Sequence, residues 1–211
     1  MEPTTTPMSG RRAQAARNDR RILEAAREVF TNDPQAPIAA VADRAGVGIA
    51  ALYRRYRSKD ELLQHLAGEG LQRYLAEAEA ALADDGDPWA AFARFMHRSL
   101  DAGAGSLTVR LAGTFTATPE LQRQARTAFA ATRRLLERTK AAGALRPDLE
   151  VGDVSLLLEQ LQAVQLGDPR RSGQLRHRYL TLLLEAMRLP AAGPLPGPPP
   201  SVEELRRRYD G

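Results

Sequence analysis

Hydrophobic residues recur along this chain at intervals of three and four, the period of an α-helix, and no stretch alternates as a strand would. Ile22, Leu23, Ala26, Val29 and Phe30 share one helical face, and Asn32-Asp33-Pro34 ends that helix. Two short helices are predicted next, about Ile38 to Arg44 and about Ile49 to Tyr56. Ser58 to Glu61 reads as a capping box that opens a long helix through Leu62, Leu66, Leu71, Tyr74 and Leu75. "ADDGD" stops it, and Asp87-Pro88 starts another, since proline at the first helical position gives up an N–H that would be unpaired anyway. That helix, Pro88 to about Leu100, carries Trp89, Phe92, Phe95 and Met96 and is broken at Gly103 and Gly105. A short helix over about Leu107 to Gly113 follows. Then comes a long charged one from Thr118-Pro119 to Ala142-Gly143, and two more over about Asp153 to Leu166 and Ser172 to Arg188. After a proline-rich extended stretch, Ser201 caps a last short helix. About ten helices are expected, with no internal repeat.

Composition narrows this all-α reading. The 211 residues are enough to bury a substantial core. The chain has no cysteine, which removes disulfides, thiolate chemistry and zinc–cysteine sites. It shows neither a signal-peptide pattern nor an apolar run approaching the roughly 20 residues that span a bilayer. A cytoplasmic protein with no membrane partner is expected. The net charge of +4 is unevenly placed. Up to Arg57 there are ten arginines against six acidic residues, so this quarter holds an excess equal to that of the whole chain. Only Lys59 and Lys140 are lysines, a bias that runs throughout and fits codon composition better than phosphate recognition. Arg11, Arg12 and Arg17 lie in or beside a polar N-terminal arm, which is either a solvated leader or a segment that enters a DNA minor groove.

The segment "VADRAGVGIAALYRRYRSKDELL", Val41 to Leu63, has the spacing of a helix-turn-helix. Ala42 suits the close contact between two helices. Gly46 suits a left-handed residue after the first helix, and Val47 and Leu52 suit the apolar contact that fixes the second. Ordinary helical hairpins share such small-glycine-apolar patterns. The second helix begins with almost no side chains, then turns aromatic and cationic at Tyr53-Arg54-Arg55-Tyr56.

With "ILEAAREVF" before it and a helical remainder after it, this segment closely resembles the TetR family of bacterial transcriptional regulators over Arg20 to Leu66. "AAGALRPDLEVGDVSLLL" and "LPGPPPSVEELRRR" also resemble a subgroup common in actinobacteria. The resemblance implies that the helix from Gly48 to Tyr56 enters the major groove of double-stranded operator DNA, its small first residues letting the backbone approach base edges. Gly48 stands where the family usually has serine or threonine, Ala50 where glycine is frequent and Ala51 where threonine is. Methyl groups can touch a thymine methyl but donate no hydrogen bond, so these three should read bases poorly. Tyr53 and Lys59 match residues that bind phosphate in the family. Arg54 and Arg55 replace frequent histidines, and one of them is expected to reach a phosphate or a guanine. Tyr56 matches a buried aromatic. Pro37 replaces a frequent threonine N-cap and with it one phosphate contact.

Beyond this segment the resemblance is architectural, implying a divergent helical domain for effector binding and dimerisation. The large apolar side chains between Pro88 and Ala130 suit either a core or a pocket. Phe92, Met96, Leu111 and Phe115 are the candidate walls, and His97, Arg110, Thr114 and Gln162 the candidate polar groups, for an effector of apolar or aromatic character. The last two long helices are too apolar for one buried face. Leu157, Leu161 and Val164 on the first, with Tyr179, Leu183, Leu184 and Met187 on the second, are candidates for a four-helix homodimer interface. Burial under the proline-rich tail is the other reading of that surplus.

His65, His97 and His177 have no metal-ligand spacing, no phosphate-binding glycine loop is present, and no serine has a nucleophile-elbow context. No metal, cofactor or catalytic residue is expected. The sequence therefore reads as four regions: a flexible basic arm (1–15), a three-helix helix-turn-helix domain (16–64), a helical ligand-binding and dimerisation domain (65–189), and a proline-rich tail with a short terminal helix (190–211). The expected function is a sequence-specific DNA-binding regulator, a repressor released from its operator by a small molecule. A ligand-independent DNA-binding protein and a helical enzyme are the alternatives.

Overall fold

A computed structural model describes residues 8–103, 114–190 and 193–207. Among them the regular structure is entirely helical: α1 (Met8–Asn32), α2 (Ile38–Ala45), α3 (Ile49–Arg55), α4 (Lys59–Leu82), α5 (Pro88–Asp101), α6 (Pro119–Ala141), α7 (Val151–Gln162), α8 (Pro169–Met187) and α9 (Val202–Arg207). None is long and apolar enough to cross a membrane. The helix expected over 107–113 lies outside the described residues. The chain divides into two compact units, Met1–Leu66 and Ala67–Gly211, with the helix α4 continuing from one into the other. That division falls two residues beyond the expected boundary.

In the first unit α1 packs on α2 and α2 on α3. Ile22, Leu23, Ala26 and Phe30 of α1 meet Ile38, Val41, Ala42 and Ala45 of α2, and Leu52, Tyr56, Leu62, Leu63 and Leu66 complete the core. The N-terminal segment departs from expectation. Helix α1 begins at Met8, inside the region that the charge pattern assigns to an arm. Arginine, alanine and glutamine over positions 11–17 are strong helix formers, and that propensity continues the helix outward.

In the second unit α5 packs against α6, α7 and α8, α6 against α7, and α7 against α8. Local caps set most helix starts. Asp87 accepts from Ala90 N at 2.9 Å, Thr118 from Leu121 N at 3.1 Å, and Asp168 from Arg171 N at 2.7 Å, each followed by proline. Such caps are worth about 1 kcal/mol each. The Asp168-Pro169 cap starts α8 three residues before the expected Ser172. Likewise Glu150 N donates to Asp153 Oδ2 at 2.8 Å, so α7 starts at Val151 rather than Asp153. The end of α4 is closed from afar: Arg138 donates to the carbonyls of Ala81 (3.0 Å), Leu82 (2.9 Å) and Asp84 (3.1 Å).

The proline-rich tail is fastened rather than free. Leu145 and Arg188 form an antiparallel bridge. The buried Arg146 side chain donates to Asp148 at 2.6 and 3.0 Å and to Gly193 O at 2.7 Å, while Leu195 N donates to Asp148 Oδ2 at 2.7 Å. The Arg146 guanidinium first, and the Leu195 N–H second, hold the Asp148 carboxyl well below the usual carboxylate range. The carbonyl of Pro200 sits where a Cβ at Gly152 would go, so only glycine lets the tail lie on the start of α7.

Candidate nucleic-acid interface

The turn between α2 and α3 follows from Gly46. Its φ of 62° lies in the left-handed region that favours glycine. Gly46 N donates to Asp43 O and Val47 N to Ala42 O, each at 3.1 Å, which closes α2 with a Schellman motif. Helix α3 then starts at Gly48, which caps it with no side-chain bond, and Pro37 likewise caps α2 without one. Both losses of a capping hydroxyl are those expected from the sequence.

Leu52 is fully buried and is the one buried side chain of α3, with Tyr56 buried just beyond it. These two anchor one side of the helix. Residues three and four apart share a helical face, and the opposite face carries Ile49, Ala50, Tyr53 and Arg54, all exposed. Ala51 is half-buried. Tyr53 is 47% exposed. Among the described residues no hydrogen-bond or ion-pair partner holds Tyr53 or Arg54.

Two other candidates have partners within the chain. Arg55 Nε donates to Asp19 Oδ1 at 2.7 Å and Nη2 to Asp19 Oδ2 at 3.0 Å. The Tyr56 hydroxyl donates to the same Oδ1 at 2.7 Å, and the guanidinium lies 4.9 Å from the centroid of the Tyr56 ring. Burial raises the Asp19 carboxyl, but the hydrogen bonds from Arg55 and Tyr56 outweigh it and hold the group below its ordinary value. Lys59 Nζ donates to Pro34 O at 3.2 Å and lies 5.2 Å from the Phe30 ring centroid. Of the two arginines weighed from the sequence, both exposed, Arg54 is therefore the one without a partner among the described residues. Arg12 falls in α1 rather than in an extended arm.

The effector candidates divide similarly. Phe92, Met96 and Phe115 are buried, and Thr114 is half-buried. Arg110 and Leu111 lie outside the described residues. Gln162 is buried and donates through Nε2 to Leu100 O. His97 Nδ1 lies 3.0 Å from His177 Nδ1, and His177 Nε2 lies 2.6 Å from Asp101 Oδ1. Sequence reasoning missed this Asp101–His177–His97 chain, whose members are up to 80 residues apart. Burial first, and the His177 ring second, push the His97 pKa down, with Asp101 opposing. Among the described residues no group of three or more histidine or acidic side chains is placed to hold a metal.

On α7 and α8 the two apolar stripes separate. Leu161, Leu184 and Met187, expected at a dimer interface, are buried within the chain beside Leu175 and Leu180. They are core residues: α8 turns Leu175, Leu180, Leu184 and Met187 toward its own unit, and Leu161 is buried on α7. Leu157, Val164 and Leu183 are half-buried, whereas Tyr179 is 43% and Leu182 59% exposed.

Comparison with known proteins agrees with this geometry. Residues 22–66 match the model described as bacterial regulatory proteins, tetR family. Residues 86–189 match the model of the SbtR-like transcriptional regulator C-terminal domain. No curated protein matches the chain in sequence. Among solved structures, the TetR-like regulator LfrR from Mycobacterium smegmatis, in complex with proflavine, is similar at 26% identity and a TM-score of 0.61, over 79% of this chain and 95% of that one. A TetR regulatory protein from Mycobacterium vanbaalenii is 28% identical with a TM-score of 0.52, over 84% and 99%. The ketosteroid regulator KstR2 of Mycobacterium tuberculosis shares the fold at 21% identity and a TM-score of 0.56, over 80% and 95%. With a Schellman-closed α2, an outward α3 and both domain models matched in order, this chain belongs to the TetR family and is a DNA-binding transcriptional regulator.

Proposed function

We propose that the protein is a cytoplasmic, homodimeric repressor that leaves its operator when a small apolar or aromatic molecule binds the second unit. The observation that carries the DNA half is the outward face of α3: Ala50, Tyr53 and Arg54 stand exposed while Leu52 and Tyr56 anchor the opposite side. Arg54 can donate to guanine or phosphate, and Tyr53 to phosphate. Exposed Tyr179 and Leu182, with half-buried Leu183 beside them, support dimerisation, since an uncovered apolar stripe on a helix needs a partner. Two reading helices in one dimer then address half-sites about 34 Å apart. Phe92, Met96 and Phe115 support an apolar effector, and LfrR with proflavine shows that a similar chain takes a small molecule. A ligand that favours a dimer with mismatched reading heads releases DNA in proportion to its preference for that state.

The test has two stages. Selection from random DNA should recover a two-fold symmetric site. A thermal-shift library should then yield a compound that both stabilises the protein and releases that site. A compound that stabilises without releasing DNA sinks the coupled mechanism. Leu182→Asp should give a folded monomer with weakened operator binding, and a wild-type chain that sediments as a monomer at micromolar concentration excludes the dimer.

A further inference from the structure

We infer that Asp19 is a specificity-determining positioning residue: it clamps Arg55, withdraws that cation from indiscriminate phosphate binding, and leaves base discrimination to Arg54. The inference rests on the DNA reading above. Arg55 is the last residue of α3 and 49% of its side chain is exposed, so nothing steric keeps it from a phosphate. What holds it is a carboxylate on another helix. Two parallel N–H···O bonds join guanidinium to carboxylate at 2.7 and 3.0 Å, the geometry in which arginine pairs most strongly. The carboxylate is itself fixed. Its Oδ1 also accepts from Tyr56, whose ring is buried and packs edge-on against His65 at 5.6 Å. To reach DNA through Nε and Nη2, Arg55 would have to abandon Asp19 and leave a carboxylate facing a polyanion.

The charge arithmetic follows. Asp19 and Arg55 together present no net charge. Phosphate attraction grows with every free cation regardless of sequence, and each cation neutralising a phosphate steepens the salt dependence by about one unit. Arg54 stands one residue earlier, about 100° around the helix, on the outward face with Ala50 and Tyr53. The protein thus carries two adjacent arginines of which one is free to read and one is held.

The experiment measures affinity for a selected operator and for random duplex DNA across a salt series. Asp19→Asn is expected to raise random-DNA affinity roughly three- to tenfold, steepen the salt slope by about one unit per protomer, and lower the operator-to-random ratio. In an Arg55→Gln background the same Asp19→Asn change should move random-DNA affinity less than twofold. An equal rise in both backgrounds makes Asp19 a mere surface charge and overturns the clamp. Should Asp19→Asn fail to fold, the single arginine variants decide. Arg54→Gln should cut the operator-to-random ratio at least tenfold, whereas Arg55→Gln should keep it within twofold. A collapse of the ratio in Arg55→Gln shows that Arg55 reads bases and overturns the inference. If the wild-type chain selects no DNA at all, the DNA reading itself fails. If it selects a site and Asp19→Asn changes neither slope nor ratio, only the clamp fails.

Discussion

Helices α3 and α5 solve opposite problems. The first has seven residues and buries one, while the second has fourteen and buries seven, including Phe92, Phe95 and Met96. Helix α3 therefore depends on its ends and on a single anchor, Leu52, and leaves the rest of its surface for a partner. Helix α5 is held by its own unit: Tyr74 of α4 meets Phe95 edge-on at 5.2 Å, and α6, α7 and α8 pack against it. A surface that reads DNA need not contribute much to stability, provided a few residues position it. A segment built around large apolar groups stabilises first, and its binding potential hides among core contacts.

Substitutions can sharpen or break that contrast. The largest loss is expected from Phe92→Ala, about 3–5 kcal/mol of the second unit's stability. Leu52→Ala should cost about 2–5 kcal/mol, confined to the first unit, and should abolish operator binding. Hydrogen exchange reads the two separately: protection should fall over residues 86–189 in one case and 22–66 in the other. Operator binding that survives Leu52→Ala would mean that α3 does not rest on one anchor.

A smaller effect is expected at the turn. Gly46→Ala places a side chain at a left-handed φ, costing about 1–2 kcal/mol, while the Arg21 terminus 2.8 Å from the new Cβ can swing aside. Urea denaturation should show a lower midpoint with an unchanged slope. No loss would mean that the turn relaxes without glycine.

The smallest effect concerns acid. His97 has its folded pKa pushed below the ordinary 6.5, so the unfolded chain takes up that proton first. Its contribution is full above about pH 6.5 and is lost as pH falls toward the folded value. The melting temperature of wild-type protein should drop more between about pH 7 and pH 5 than that of His97→Gln. Equal drops would show that the Asp101–His177–His97 chain carries no pH sensitivity.

The contrast between the two helices also explains what the sequence made legible. Helix starts at Ser58, Asp87, Thr118 and Ser201 were readable because a cap is a conversation between residues three apart. Ser58 accepts from Glu61 N, and Ser201 from Glu204 N, each at 3.1 Å. Glycine at the turn was readable for the same reason. The Asp168-Pro169 cap carries an equal signal, but the apolar period of that helix resumes only later. Over residues 8–15 the charge pattern suggests an arm, but the chain there is helical. Pairings across space left no such trace. Asp19 and Arg55 are 36 residues apart, and Arg138 reaches back 54 to 57 residues to close α4. Nor does periodicity say which of two apolar stripes on α8 faces inward. That depends on where α5 and α7 lie.

The fastening of the tail matters for anyone reshaping this protein. A chain cut at Met187 to remove the proline-rich end would take away one acceptor of Arg146 and one donor to Asp148. The damage would appear in the second unit rather than at the new terminus. An affinity handle belongs beyond Arg207, outside that seam. For the same reason a natural variant at Gly152 would act on a segment nearly fifty residues away, prising up Pro200 instead of disturbing its own helix.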